Sequence, residues 1–138
     1  MTRTVSVRSR IFGMDREGVF SSGDETAVSD YFDYEVELEN GSPLHQFTKS
    51  QLRWGSECRC ELYLSVEALD TGDVKLYGTG ILFVGKSEST DDLDGRNDFN
   101  FVVPISQTIE KKYTVNNANK GDDYADITVE CTNVTKEI

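Results

Sequence analysis

The sequence predicts an all-β protein, an antiparallel β-sandwich of about seven strands that forms one domain over residues 1–138. In seven segments apolar side chains recur at every second position, which is the period of a half-buried strand. Stretches rich in glycine, asparagine, aspartate and serine separate these segments and are typical of turns. Because each such strand has one apolar face, the strands must pack in two layers that cover each other.

The clearest element is a hairpin formed by residues 58–68 and 74–84. Both segments alternate apolar and polar side chains, and Gly72 lies in the short sequence between them. A three-residue loop with a left-handed glycine pairs Ala68 with Val74 and places the apolar residues on one face. A two-residue loop would slip the register by one position and turn charged side chains into the core. We therefore predict the three-residue loop.

Five other segments show the same alternation and complete the predicted set of strands. They are residues 5–11, 32–38, 99–103, 109–115 and 125–131. Two stretches without a clear period, residues 25–30 and 50–54, are candidates for a single turn of helix. The strand order is left open, because both a jelly-roll and a C2-like sandwich accommodate this number of strands.

Net charge limits the classes of partner. The formal net charge is −11, from 25 acidic and 14 basic residues. Such an excess of carboxylates repels phosphate backbones and anionic lipid, so we expect no nucleic-acid partner. Cations and basic surfaces are left as charged partners, and the simplest interpretation of the charge is solubility.

The cysteines and the N-terminal sequence indicate the compartment. The three cysteines, Cys58, Cys60 and Cys131, all lie on predicted inward rows. An odd number of cysteines favours a reducing compartment, and the N-terminal residues show no secretory signal and no membrane span. We therefore expect a cytoplasmic protein with buried, reduced thiols. A three-thiolate metal site is the alternative, but buried cysteines more commonly act as small hydrophobic side chains.

One acidic segment suggests metal-binding chemistry. Residues 89–98 contain four aspartates, one asparagine and one glycine. Carboxylate and amide oxygens are the ligands that calcium prefers in proteins. The segment does not match an EF-hand loop, because the twelfth position would be Phe101 in place of a bidentate glutamate.

Strand parity extends this candidate site. In an antiparallel domain alternate connections emerge at the same end, which groups the predicted loops 40–56, 86–96 and 117–123. The same reasoning places Asp15 and Asp70 at the opposite end. We therefore predict a calcium site at the first end, with solvated turns as the alternative. Its candidate ligands are Asp91, Asp92, Asp94, Asn97, Asp98, Asp122 and Asp123.

The outer face of the hairpin predicts an interaction surface. Four large side chains share this face, and a contiguous exposed patch of that kind marks a contact surface. Candidate occupants are a protein partner, a second copy of the chain, or a sugar. Alternatively, the segment 40–56 folds over the face as a lid. The predicted surface residues are Tyr63, Tyr77, Ile81 and Phe83, with Trp54 nearby.

The sequence contains no catalytic constellation that we can identify. His45 is the single histidine, and nothing places a nucleophile and an orienting carboxylate beside it. Nor does any motif indicate a cofactor other than the candidate Ca²⁺. We therefore expect a non-enzymatic binding module for a protein partner, a small ligand or a sugar. A structural, self-assembling subunit is the alternative, and a small hydrolase is a distant third.

Overall fold

Ten antiparallel strands form the computed structural model, which describes residues 1–15, 25–118 and 123–136. They are β1 (Thr2–Asp15), β2 (Glu25–Val28), β3 (Phe32–Glu39), β4 (His45–Gln46), β5 (Ser50–Trp54), β6 (Cys58–Ala68), β7 (Val74–Val84), β8 (Leu93–Val103), β9 (Gln107–Asn116) and β10 (Tyr124–Thr135). Within these ranges no helix is long and apolar enough to cross a membrane.

The strands form two sheets that pack face to face, which confirms the predicted β-sandwich. Sheet A has the order β2-β1-β10-β9, with β3 also beside β1. Sheet B has the order β4-β6-β7-β8, with β5 also beside β6. Since β2 and β3 pair with different halves of β1, they act as one interrupted edge strand. The same is true of β4 and β5 along β6.

When each interrupted edge strand is counted as one, strands that follow one another within a sheet are hydrogen-bonded neighbours, and β10 pairs with β1. Two connections cross between the sheets, from β3 to β4 and from β8 to β9, and each joins one edge strand to another. This order is an up-and-down meander. A jelly roll is built from Greek keys instead, so the strand order settles a question that the sequence left open.

The predicted hairpin register is confirmed along its whole length. Ala68 pairs with Val74, and Cys58 pairs with Val84 at the far end. Gly72 has a φ of 92°, and the amide of Leu69 donates to the Asp73 carbonyl at 2.8 Å. The left-handed glycine therefore closes the three-residue loop that the alternation requires.

The two candidate helical turns are wrong, because both segments are strands. Residues 25–28 pair with the end of β1, and residues 50–54 pair with the start of β6. Each is short and lies at a sheet edge, where the pairing partner decides the backbone conformation more than the side-chain pattern does. The additional strand β5 also changes which loops share an end of the sandwich.

At the Asp15 end of the sandwich lie the last residues of β1, β5, β7 and β9 and the first residues of β2, β6, β8 and β10. Here the amide of Ser56 donates to Glu88 Oε2 at 3.2 Å, and the amide of Ala118 donates to the Asp94 carbonyl at 2.6 Å. The prediction that residues 86–96 and 117–123 share an end is confirmed where these residues are described. Placing Asp15 at the opposite end was wrong.

The Asp70 end holds the β3–β4, β6–β7 and β8–β9 connections. The amide of Gly41 donates to the Ala68 carbonyl at 2.8 Å, so residues 40–44 lie at this end. Residues 55–57 lie at the Asp15 end. The predicted loop 40–56 is therefore wrong as a single loop, because β4 and β5 carry the chain from one end to the other.

A buried polar cluster closes the core at the Asp70 end. Arg3 and Asn133 are 1 % and 0 % exposed. The Arg3 Nε donates to Asn133 Oδ1 at 3.0 Å, and the Asn133 amide donates to the carbonyls of Gly72 and Val103 at 3.0 and 3.1 Å. Asn133 therefore links β1 to the β6–β7 loop and to the end of β8 in sheet B.

Candidate functional site

A groove on the outer face of sheet B lies between two tyrosines of the β6–β7 hairpin. Tyr63 pairs with Thr79 and Ser65 pairs with Tyr77, so each aromatic ring stands beside a hydroxyl group of the neighbouring strand. The groove has a volume of about 240 Å³. It is lined by Gln46, Phe47, Tyr63, Leu64, Ser65, Tyr77, Gly78 and Thr79.

Hydrogen bonds hold both tyrosine rings in place. The Tyr63 hydroxyl donates to Glu61 Oε1 at 2.5 Å, and the Tyr77 hydroxyl donates to Glu67 Oε1 at 2.5 Å. The pKa of each tyrosine is raised above its ordinary value, and in each case this hydrogen bond is the largest cause. Both phenols are therefore protonated at neutral pH, and the two rings form preorganised walls.

The charges around the groove are largely balanced. Glu61 lies 2.9 Å from the Nε of Arg59 and 3.6 Å from the Nζ of Lys49. Next to Thr79, the Asp98 carboxylate pairs with Arg96 at 3.0 Å. The groove is therefore close to neutral on a protein whose net charge is −11.

Beyond the groove, the predicted surface is partly covered. Ile81 and Phe83 are half-buried, and the Arg59 guanidinium carbon lies 4.3 Å from the centroid of the Phe83 ring. Arg59 is itself buried and donates to the Glu88 carbonyl at 2.7 Å. The β7–β8 connection therefore lies over this part of sheet B.

The segment 40–56 does not form the lid that was the alternative. Its strands β4 and β5 extend the edge of sheet B beside β6, and Phe47 lines one side of the groove. Trp54 is 3 % exposed and belongs to the core, so assigning it to the interaction surface was wrong. The Trp54 side chain points inward from β5. This direction becomes evident only from the pairing of β5 with β6.

Three of the candidate calcium ligands lie within a strand and have separate partners. The side chain of Asp94 accepts from the Val84 amide at 3.1 Å. Asp98 accepts from Arg96 and Thr79, and Asn97 donates to the Thr114 carbonyl at 3.0 Å. Because β8 begins at Leu93, these side chains alternate between the faces of a strand and do not converge in a loop.

The remaining candidate calcium ligands are also dispersed. Asp92 is exposed, and the Asp91 carboxylate is 99 % exposed and lies 3.7 Å from Arg59 Nη2. Asp122 lies outside the described residues, whereas Asp123 is buried at the Asp15 end. The structure does not bring the described members of this set together, and calcium binding stays a prediction.

A different set of ligand-type side chains converges at the Asp15 end. Asp15, Cys58 and Asp123 are all buried, and one oxygen or sulfur atom of each lies within 4.8 Å of the others. Within the described ranges, this is the group of histidine, cysteine and acidic side chains close enough to share one ion. Sequence reasoning missed it because Asp15 was assigned to the opposite end.

The three cysteines are free thiols, and all are buried. Burial raises the pKa of Cys60 and of Cys131 to about 12. For Cys58, burial and then the carboxylates of Asp123 and Asp15 raise the thiol pKa further. The three-thiolate alternative is not formed within the described residues, because the ligand cluster there joins Cys58 to two aspartates.

We expect all three thiols to react slowly with a disulfide reagent such as Ellman's reagent in the native protein. Labelling should be more than about 100-fold slower than in denaturant, because burial removes both access and thiolate. The measurement is the labelling time course with and without denaturant. Fast native labelling of two or more thiols would contradict the inward orientation of these strands.

Comparisons with known proteins do not assign this chain to a family. No protein-family model, no curated protein and no solved structure matches it. The groove and the buried thiol–carboxylate cluster are the features of the molecule that bear on its function.

Proposed function

We propose that the protein is a non-enzymatic binding module that holds an uncharged sugar in the groove between Tyr63 and Tyr77. The observation that supports this function most is the alternation of two aromatic rings with two hydroxyl groups around one groove on the outer face of sheet B. Aromatic faces pack against the apolar C–H face of a sugar ring, and a few placed polar groups fix its orientation. Ser65, Thr79 and the Gln46 amide supply those polar groups.

The charge balance favours an uncharged ligand. Glu61 and Asp98 each have a basic partner, so neither carboxylate is left to attract a cation. The overall negative charge of the protein opposes an anion. Thr79 donates its proton to Asp98 at 2.7 Å, so its oxygen is available to accept a hydrogen bond from a sugar hydroxyl.

The size and rigidity of the groove also fit this class of ligand. At about 240 Å³ the groove is smaller than the roughly 300–1,000 Å³ of pockets for drug-sized ligands, so it suits one sugar unit of a longer chain. The hydrogen bonds to Glu61 and Glu67 fix the tyrosine rings before binding. Preorganisation of this kind lowers the entropic cost of binding.

The test is binding of the full chain to a panel of uncharged oligosaccharides, measured by calorimetry. Tyr63→Ala and Tyr77→Ala should each weaken binding on the order of 30-fold, corresponding to about 2 kcal/mol for a central aromatic contact. Tyr31→Ala is the matched control, because Tyr31 is 50 % exposed and precedes β3 of the other sheet. Equal losses in all three variants, or no binding to any member of the panel, would contradict the proposal.

A second candidate function is self-association through the same face. This function is favoured by the exposure of a large aromatic side chain on the outer face of sheet B, because Tyr63 is 41 % exposed. In that case Tyr77→Ala changes the oligomeric state in a concentration series, and sugars have no effect. The three reduced cysteines support a cytoplasmic location for either function.

A further inference from the structure

The buried thiol–carboxylate cluster at the Asp15 end is separate from the groove and has its own chemistry. Asp15 ends β1, Cys58 begins β6, and Asp123 immediately precedes β10. The cluster therefore joins both sheets at one end of the sandwich. Asp15, Cys58 and Asp123 are 2 %, 0 % and 8 % exposed.

We propose that Asp15, Cys58 and Asp123 bind a thiophilic divalent cation of the zinc class. Zinc binds thiolate sulfur at ~2.3 Å and carboxylate oxygen at ~2.0–2.2 Å, so tetrahedral ligand atoms lie about 3.5 Å apart. The three ligand atoms already lie within 4.8 Å of one another, so modest side-chain rotation closes the site. Three protein ligands leave the fourth position for water.

The donor set selects the metal. Calcium and magnesium take oxygen ligands, whereas a thiolate favours zinc and other softer ions. Gly55 makes room for the cluster, because a Cβ there would lie 2.3 Å from Asp15 Oδ2, and its φ of 62° also favours glycine. The position of the Asp15 carboxylate therefore depends on a glycine at position 55.

A hydrogen-bond donor without a partner is buried beside Cys58 and supports the proposal. Trp54 is the direct ladder partner of Cys58, and its ring lies against Gly13, two residues before Asp15. The indole Nε1 is buried and has no hydrogen-bond partner within the described chain. A buried donor without an acceptor is costly, and a hydroxide held by the metal beside Cys58 would be a strong acceptor in this part of the core.

Cobalt(II) titration of the reduced, metal-free full chain tests the site. We expect one equivalent of cobalt to produce a thiolate-to-cobalt charge-transfer band in the near ultraviolet, which zinc then removes by displacement. Trp54 is the single tryptophan, so its fluorescence should be quenched in step with the band. Zinc should raise the melting temperature on the order of 10 °C at a hundredfold excess over Kd.

The other two buried cysteines provide matched controls. Cys58→Ser should abolish the band, whereas Cys60→Ser and Cys131→Ser should retain it, because the cluster includes neither of these thiols. Asp15→Asn and Asp123→Asn should weaken cobalt binding more than about 100-fold, the upper end of what outer-shell changes cost. These two variants keep the thiol and test the site even if Cys58→Ser does not fold.

Three results would overturn the metal site. They are the absence of the band in the folded wild-type chain, a band that survives in Cys58→Ser, and equal thermal stabilisation by zinc, calcium and magnesium at matched ionic strength. Tyr77→Ala should leave the cobalt titration unchanged. Failure of sugar binding and failure of metal binding are therefore separate outcomes.

Discussion

Replacing Trp54 with alanine is expected to destabilise the fold by about 3–5 kcal/mol, the usual cost of removing a buried tryptophan. Its side chain is 3 % exposed and belongs to the core between the two sheets. A Cβ at Gly13 would lie 2.4 Å from the indole Cδ2, so the ring fills the space over the glycine backbone. Gly13 has no side chain that could fill the resulting cavity.

Urea denaturation measures this loss. Unfolding is followed by circular dichroism, because the variant no longer contains a tryptophan whose fluorescence could report it. Trp54→Phe retains an aromatic ring and should cost less than half as much. Tyr31→Ala removes the cation–π contacts of a half-exposed ring with Arg8 and Arg10, at 4.6 and 4.5 Å, and should cost less than about 2 kcal/mol. A loss below about 1 kcal/mol for Trp54→Ala would show that the indole does not fill the core.

Replacing Asn133 with leucine is expected to cost a similar amount, about 3–5 kcal/mol. The change removes the acceptor of the buried Arg3 Nε and leaves the carbonyls of Gly72 and Val103 without their amide donor. Each buried group that loses its partner costs roughly 1–3 kcal/mol, and more when it is charged. The Arg3 Nη2 already has no hydrogen-bond partner in the described structure, so the guanidinium depends strongly on Asn133.

A double-mutant cycle with Arg3→Met distinguishes this explanation from a simple loss of packing. Arg3→Met removes the buried charge with its demand for an acceptor, so it should cost less than Asn133→Leu. The double variant should be more stable than the sum of the two losses predicts, by at least about 1 kcal/mol. Strictly additive losses in urea denaturation would contradict a coupled Arg3–Asn133 contact.

The long strands were predictable because their information is local. Period-two alternation over 58–68 and 74–84 specifies both strands, and the loop at Gly72 sets their register. The register also places one charge pair between β1 and β3. Arg8 on β1 lies opposite Asp33 on β3, and their Nε–Oδ1 distance is 2.7 Å.

The short edge strands were not predictable in the same way. Residues 50–54 form β5 because β6 presents an unpaired edge beside them, and a five-residue segment has too few positions to establish a period. This one strand decides several features of the site. It turns Trp54 into the core, and it brings Asp15 to the same end as Asp123.

The amino-acid sequence by itself therefore determined the sandwich architecture, the central hairpin and the two tyrosines that wall the groove, because adjacent positions on paired strands follow from alternation. Only the tertiary structure decided that Asp15, Cys58 and Asp123 meet, because they lie at the end of β1, at the start of β6 and just before β10, far apart in the chain. Their meeting depends on the number of strands between them. One additional strand reverses the direction of every strand after it, so each later loop emerges at the other end.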